Sequence, residues 1–123
     1  MNEKEVFILK LMVFILNKTE KLDRLLKELA NEHLTGATVF NSSGMAQALS
    51  GSNDETLSNI FGSIRNLLKD NKKENKTIMM VTKEENIKRI EEIIEEVVGS
   101  IDEPNTGILF TLPIDYIRGF KTK

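Results

Sequence analysis

Apolar residues occur in two patterns along this chain. Some segments have the pattern of strands, and others have the spacing of three or four residues that is typical of helices. Residues 6–16 form a nearly continuous apolar run in which Lys10 is the only charge, so both faces of the predicted strand are apolar. Such a strand must be covered on both sides, by helices on one side and by something else, such as another subunit, on the other. Three further strands are predicted at residues 36–40, 77–81 and 107–112, and Pro113 stops the last one.

Helical spacing of apolar residues predicts three amphipathic helices between these strands. Their apolar stripes comprise Leu22, Leu25, Leu26, Leu29 and Ala30 in the first helix, Leu57, Ile60, Phe61, Ile64, Leu67 and Leu68 in the second, and Ile87, Ile90, Ile93, Ile94, Val97 and Val98 in the third. Gly36 and Gly99 follow the first and third helices, where a left-handed turn would end them. The stripe of the second helix either packs within its own domain or faces a partner protein. In the second case the candidate partner-binding residues are Leu57, Ile60, Phe61 and Ile64.

The two halves of the chain repeat the order strand, helix, strand. This repeat predicts an α+β fold, a ferredoxin-like βαβ–βαβ arrangement with a four-stranded antiparallel sheet and an extra helix inserted between the halves. A length of 123 residues suits a single domain spanning residues 1–123. Right-handed crossovers would place the two main helices on one face of the sheet, and the other face would remain apolar. An exposed apolar face of that size predicts self-association.

Composition excludes several classes of protein. The net charge of −2 and the scattered lysines argue against nucleic-acid binding. The chain has no cysteine, which excludes disulfides, thiolate metal sites and a cysteine nucleophile, and which fits a reducing cytosol. The apolar run at residues 6–16 is too short to span a bilayer, so no membrane insertion is expected. We expect a cytoplasmic protein.

Few side chains suggest catalysis or metal binding. The single histidine, His33, falls at the end of the first helix, where a solvated imidazole near the helix dipole is the favoured interpretation over a metal ligand. The adjacent Asp102 and Glu103 are interpreted as solvated loop charges, although an enzyme using Asp102 is the alternative. No cluster has metal-ligand spacing. The sequence therefore predicts no catalytic residue, no metal site and no resident cofactor.

The stretch from Gly36 onward has the composition of a ligand-binding loop. It begins as a strand and continues as Asn41, Ser42, Ser43 and Gly44, residues that favour turns and offer hydroxyl, amide and backbone N–H groups to a ligand.

Two segments resemble the PII signal-transduction family and its PII-like relatives. Residues 36–39 (Gly-Ala-Thr-Val) and 44–46 (Gly-Met-Ala) are similar to the strand and loop entry that precede that family's T-loop. Residues 99–115 contain a glycine-ended helix, a short loop and the sequence Thr-Gly-Ile-Leu-Phe-Thr-Leu-Pro-Ile, similar to the family's B-loop and last strand. The resemblance covers nearly the whole chain except the inserted helix. Trimers of the CutA type share this fold and are the alternative family.

The resemblance implies a homotrimer with effector sites in clefts between subunits. In PII proteins such clefts take adenine nucleotides, and the T-loop then binds or releases a target protein. The equivalent of the T-loop here is the region 43–75. One wall of the implied ligand-binding cleft comprises Gly36, Thr38, Phe40, Ser42, Ser43 and Gly44. The facing wall, from the neighbouring subunit, comprises Gly99, Ser100, Ile101, Asp102, Thr106 and Gly107.

Several positions depart from the family pattern. The basic residue that usually precedes the last strand falls at Gly107, and the paired arginines after that strand fall near Gly119 and Lys121. The region 43–75 has no tyrosine to modify, since the only tyrosine is Tyr116. With few cations at the cleft, a nucleoside monophosphate, a cyclic nucleotide or a dinucleotide is expected in preference to ATP.

The leading functional hypothesis is a non-enzymatic, trimeric sensor of a nucleotide-type small molecule. It would regulate an unidentified partner protein through the region 43–75. The alternative is a structural or scaffolding oligomer of the same fold, in which Ser42, Ser43 and Gly44 form only a turn.

Overall fold

The described residues fold as one antiparallel sheet covered on one face by two helices. The structure, a computed structural model, describes residues 8–45 and 74–120. In chain order its elements are β1 (Leu9–Leu16), α1 (Leu22–Asn31), β2 (Thr38–Ser42), β3 (Asn75–Lys83), α2 (Ile87–Val98) and β4 (Gly107–Pro113). Single 3-10 turns, Thr19–Lys21 and Glu84–Asn86, precede α1 and α2. The predicted α+β class and four-stranded antiparallel sheet are confirmed.

The sheet has the strand order β2-β3-β1-β4, with every neighbouring pair antiparallel. Strand β1 is central and pairs along its full length with β3, from Leu9 opposite Lys83 to Leu16 opposite Lys76. On its other side β1 pairs with β4. The short strand β2 pairs only with β3 and forms one edge of the sheet, while β4 forms the other edge. This order is that of the ferredoxin-like repeat predicted from the sequence.

The core lies between the sheet and the two helices. From β1, Met12, Phe14 and Leu16 point into this layer and are almost fully buried. They meet the apolar stripes of α1 and α2 and neighbours from β3. These partners comprise Leu25, Leu29, Ile78, Met80, Ile90, Ile93, Ile94, Val97 and Val98. Tertiary burial of this kind stabilises α2 although β-branched residues are weak helix formers.

The opposite face of the sheet, here called the open face, has no covering layer in the described chain. Successive residues of β1 alternate between the two faces, so Leu11, Val13 and Ile15 lie on the open face. Neighbouring strands extend this apolar surface with Phe40, Met79, Val81, Ile108, Phe110 and Leu112. Ile108, Phe110 and Leu112 on β4 are 60%, 43% and 45% exposed. The predicted one-sided arrangement of helices is therefore confirmed.

The ends of some elements differ from those predicted. Strand β1 begins at Leu9 in the described chain, and Ile8 lies before it. Strand β2 continues to Ser42, beyond the end predicted at Phe40, because side-chain hydrogen bonds from Ser42 to β3 extend the pairing. The predicted inserted helix and its candidate partner-binding residues Leu57, Ile60, Phe61 and Ile64 lie outside the described residues.

Helix α1 ends at Asn31 with Glu32 as its C-cap, close to the end predicted near His33, but the left-handed residue that directly follows the cap is His33 and not Gly36. His33 has a left-handed backbone with φ of 61°. Its N–H donates to the carbonyl of Ala30 at 3.0 Å, and the N–H of Leu34 donates to the carbonyl of Leu29 at 2.9 Å. These two bonds form a Schellman motif, which satisfies the last carbonyls of the helix. Gly99 ends α2 as predicted, with φ of 100° and a bond from its N–H to the carbonyl of Glu95.

An exposed ion-pair network joins the two helices. The guanidinium of Arg89 on α2 donates to Glu32 through two bonds, Nε to Oε1 at 2.7 Å and Nη2 to Oε2 at 2.6 Å. Its Nη1 also lies 3.2 Å from Glu92 and 3.3 Å from Glu96. The bonds from Arg89 hold the pKa of the Glu32 carboxyl below its ordinary value. Because the pair is exposed, we expect a modest effect that salt weakens.

Glycine at position 107 is required by a close approach between β4 and β1. A Cβ atom there would lie 2.4 Å from the carbonyl oxygen of Ile15 and 2.8 Å from Cε1 of Phe14. The first of these atoms belongs to the backbone of the central strand and cannot move aside. Position 107 therefore carries no side chain of any kind without displacing β4.

Among the described residues, no helix combines the length and apolar content that crossing a membrane requires.

We predict that Gly107→Ala destabilises the fold by about 2–4 kcal/mol, because β4 must shift away from β1. Chemical denaturation measures this loss. Gly119→Ala is the matched control: its φ is 85°, but a Cβ there meets nothing within 4 Å. It should cost only about 1 kcal/mol from backbone strain. Equal losses in the two variants would contradict the close approach.

We predict that Arg89→Met lowers the melting temperature more than Lys88→Met, a neighbouring change of equal charge at a residue without an ion pair in the described chain. The pKa of Glu32 is lowered in the folded state, so its contribution is complete above the ordinary glutamate pKa of 4.5. It is lost as the pH falls through the lowered pKa. The difference in melting temperature between the two variants should therefore be constant near neutral pH, and it should become smaller in acid and in high salt. A difference that grows in acid would contradict this pairing.

Candidate functional site

A groove of about 740 Å³ lies at the end of the sheet where β3 leads into α2. Three segments enclose it: the loop between α1 and β2, the end of β3 with the following turn, and the chain after β4. The residues that line it are His33, Leu34, Thr35, Gly36, Met80, Val81, Thr82, Lys83, Asn86, Gly119 and Phe120. Its volume is within the range of small-molecule sites.

The lining of the groove mixes apolar surface with hydrogen-bonding groups. Leu34, Val81 and Phe120 supply the apolar surface, while Thr35 and Asn86 supply a hydroxyl and an amide. The amide of Asn86 donates to the hydroxyl of Thr82 at 3.5 Å, which fixes the orientation of that side chain. The ionisable residues of the lining are His33 and Lys83, and no carboxylate is among them. This lining suits a ligand with an apolar or aromatic part and an anionic group.

Two glycines leave bare backbone on the walls of the groove. Gly36 has φ of 90° and Gly119 has φ of 85°, and a Cβ at either position would meet nothing within 4 Å. Packing therefore does not require glycine at these positions, whereas the left-handed backbone favours it. The consequence is that a ligand can approach the peptide groups of both segments closely.

Of the first predicted wall, only Gly36, in the loop before β2, lines this groove, and the predicted residues on and after β2 lie beyond it. Thr38 and Phe40 project from the open face and are exposed. The hydroxyl of Ser42 lies 2.7 Å from that of Thr77 and also donates to the amide oxygen of Asn75. These bonds join the two strands at the points where the chain leaves toward, and returns from, the region outside the described residues. Ser43, exposed, and Gly44, half-buried, follow directly.

The second predicted wall lies at the start of β4. The side chain of Ile101 packs against the core, and Ser100 accepts a hydrogen bond from the N–H of Asp102 at 3.3 Å. Thr106 is fully buried, and its hydroxyl has no hydrogen-bond partner in the described chain. Its carbonyl accepts from the N–H of Asn17 at 3.1 Å. Lys18 donates to the carbonyl of Val98 at 3.4 Å, where its charge complements the end of α2.

The two predicted walls are on opposite edges of the sheet. Ser42 ends β2, Gly107 begins β4, and β3 and β1 lie between them. Three strand spacings separate these edges, on the order of 14 Å. Within one chain the two walls therefore do not face each other, and they would meet only if a second subunit supplied one of them. That arrangement remains a prediction from the resemblance.

Most residues of the groove were not predicted from the sequence. Leu34, Asn86 and Phe120 lie in three separate segments, and only the fold brings them together. The polar residues Thr82, near the end of a buried strand, and Asn86, in the turn that follows it, were one signal that could have indicated the site. Among the described residues no group of histidine, aspartate or glutamate side chains could hold a metal ion.

Sequence comparison and structure comparison give different results. No protein-family model matches the sequence, and no curated protein matches it either. The structure, in contrast, is similar to many solved structures. One is a protein of unknown function from Pediococcus pentosaceus, with a TM-score of 0.61 and 17% identity, over 94% of this chain and 100% of that one.

Two further similar structures are PII proteins. Arabidopsis thaliana PII bound to citrate has a TM-score of 0.58 and 15% identity, over 88% of this chain and 78% of that one. The complex of B. subtilis GlnK with ATP has a TM-score of 0.56 and 16% identity, over 89% of this chain and 85% of that one. At such identities the likeness establishes the fold alone. The chain therefore has the fold of the PII proteins, as the sequence resemblance implied.

Proposed function

We propose that this protein is a non-enzymatic, trimeric sensor of a nucleotide-type small molecule, which regulates a partner protein through the region 43–75. The groove between the α1–β2 loop, the end of β3 and the chain after β4 is the single observation that carries the proposal. It contains the apolar surface and convergent polar groups of an effector site, without a catalytic constellation among its lining residues.

The open face supports assembly into trimers. Its apolar residues lie on all four strands, and Phe40 and Phe110 on the two edge strands are each close to half exposed. Contiguous apolar surface of this kind is rare on monomers and is stabilised by contact with other copies. Two PII structures of the same fold strengthen this proposal for the present chain.

The nature of the groove favours a ligand with less negative charge than ATP. The family's basic residue before the last strand falls at Gly107, where the close approach of Ile15 leaves no room for a side chain. One of the family's arginine positions falls near Gly119, which contributes only backbone to the groove. The cationic groups of the lining are Lys83 and, when protonated, His33. Two such groups suit a monophosphate better than a triphosphate.

The hydrogen bonds at the base of the region 43–75 support its role in transmission. Ser42 bonds to Asn75 and Thr77, and Lys76 bonds to Asn41 on the other face of the same strand pair. These bonds hold both ends of the region on β2 and β3, and β3 runs directly to the groove. A ligand that favours one arrangement of this strand pair would change the populations of the region's states.

A scaffold without a ligand is the second candidate function. The specific observation in its favour is that Ser42, Asn75 and Thr77 satisfy one another, as they would in a purely structural turn. The two functions differ in their response to ligands, since a scaffold gains no stability from nucleotides.

We predict that Phe110→Glu dissociates the assembly, because a carboxylate on the open face would be desolvated between subunits. Light scattering should give about three times the 14.0 kDa of one chain for the wild type and 14.0 kDa for the variant. Thr111→Glu is the control on the same strand: Thr111 is exposed but belongs to the opposite face. A monomeric wild type would contradict the trimer and the intersubunit site.

We predict that one nucleotide class raises the melting temperature of the wild type in a panel of ATP, ADP, AMP, cyclic mononucleotides and cyclic dinucleotides. A ligand at a concentration of a hundred times its dissociation constant adds about 2.7 kcal/mol per site to the free energy of unfolding. Thr35→Trp should abolish this shift by filling the groove, whereas Lys27→Trp, exposed on α1 away from the groove, should retain it. No shift with any nucleotide would favour the scaffold.

A further inference from the structure

His33 occupies a backbone position that normally belongs to glycine. It is the first residue beyond the C-cap of α1, and its φ of 61° lies in the left-handed region. Both bonds of the Schellman motif depend on this conformation. For a residue with a Cβ the left-handed backbone costs about 1–2 kcal/mol relative to the right-handed one.

Backbone requirements alone do not explain a histidine at this position. The described chain has one other left-handed residue with a side chain, Asn105 with φ of 64°. Asparagine tolerates this conformation because its short side chain bonds locally. Histidine is also found in this conformation more often than most residues with a side chain, but glycine would form the same helix end with less strain. Strain that persists at a ligand-binding surface is characteristic of functional residues.

The imidazole of His33 is exposed and lines the groove. Within the described chain it makes no hydrogen bond and no ion pair, so both ring nitrogens are available to a ligand. Its neighbour Glu32 does not bond to it, because both carboxylate oxygens of Glu32 accept from Arg89. The same groove contains Lys83 and the ring of Phe120, and no carboxylate among its lining residues competes for the imidazole.

We propose that His33 is the specificity-determining residue of the groove and that it donates a hydrogen bond to an anionic oxygen of a phosphate monoester such as a nucleoside monophosphate. The inference rests on the proposed sensor function and adds to it the residue and the ligand group that it selects. A left-handed backbone directs the ring into the groove, and glycine could not supply the donor. Strain at the helix end is thus retained for recognition.

The test compares AMP with adenosine, which lacks the phosphate, in isothermal titrations of the wild type, His33→Gly and His33→Asn. His33→Gly should raise the melting temperature of the ligand-free protein by about 2–5 °C through relief of strain. It should also weaken the binding of AMP by about tenfold or more, because a charge-assisted hydrogen bond is lost. Adenosine should bind to all three proteins within about twofold. His33→Asn should weaken the binding of AMP to a similar extent, and it should still fold, because asparagine tolerates the left-handed backbone conformation.

Asn105→Gly is the matched control for strain. It replaces the other left-handed residue, and its melting temperature should stay within about 1 °C of the wild type. A gain equal to that of His33→Gly would show that His33 carries no special strain, and would overturn that part of the inference.

A second measurement uses His33 as the single histidine of the chain, whose ring signals in an NMR spectrum need no assignment. AMP should shift these signals, and adenosine should shift them much less. If AMP binds but the signals do not move, or if His33→Gly binds AMP as tightly as the wild type, the inference fails while the sensor function stands. If AMP does not bind and another nucleotide of the panel does, the inference fails alone. If no nucleotide binds, the proposed function fails with it.

Discussion

The central strand β1 determines most of this structure. It pairs with β3 and β4 along its length, and both of its faces are apolar, so burial is required above and below the sheet. Two helices connect strands of a βαβ repeat and, with right-handed crossovers, both lie on the same face. They therefore cover Met12, Phe14 and Leu16, while Leu11, Val13 and Ile15 remain on the open face. The need for a second covering layer follows from this one-sided connection.

The candidate site is formed by segments that connect to the strands at one end of the sheet. The loop after α1 runs beside the end of β3, and the segment after β4 crosses to meet it at Gly119 and Phe120. The groove is thus formed by three segments that are distant in sequence. Its position at the start of α2 links it through β3 to the strand pair that holds the region 43–75. The proposed ligand binding at one end of β3 and the proposed partner regulation at the other end would thus involve a single structural element.

The fold could be predicted from the sequence because the local spacing of apolar residues predicts each strand and helix. The alternation in residues 6–16 and the helical stripes around Leu25 and Ile90 gave the correct elements, and their order gave the topology. The end of α1 near His33 could be predicted, but the residue that makes the left-handed turn there could not, because glycine is the usual terminator and His33 takes that role ahead of Gly36. The groove could not be predicted, since the proximity of Leu34, Asn86 and Phe120 depends on tertiary structure. Thr106, a predicted site residue, is buried under β4 because position 107 approaches β1 so closely.

The measurement that tests the sensor function most directly is hydrogen–deuterium exchange with and without the nucleotide that gives the largest thermal shift. It reports on ligand contact and on transmission in the same sample, one residue range at a time. We expect slower exchange at residues 33–36 and 80–86, which line the groove, together with a changed exchange rate in the region 43–75. Slower exchange confined to any other surface, or protection of the groove without a change in the region 43–75, would contradict a sensor that acts through that region.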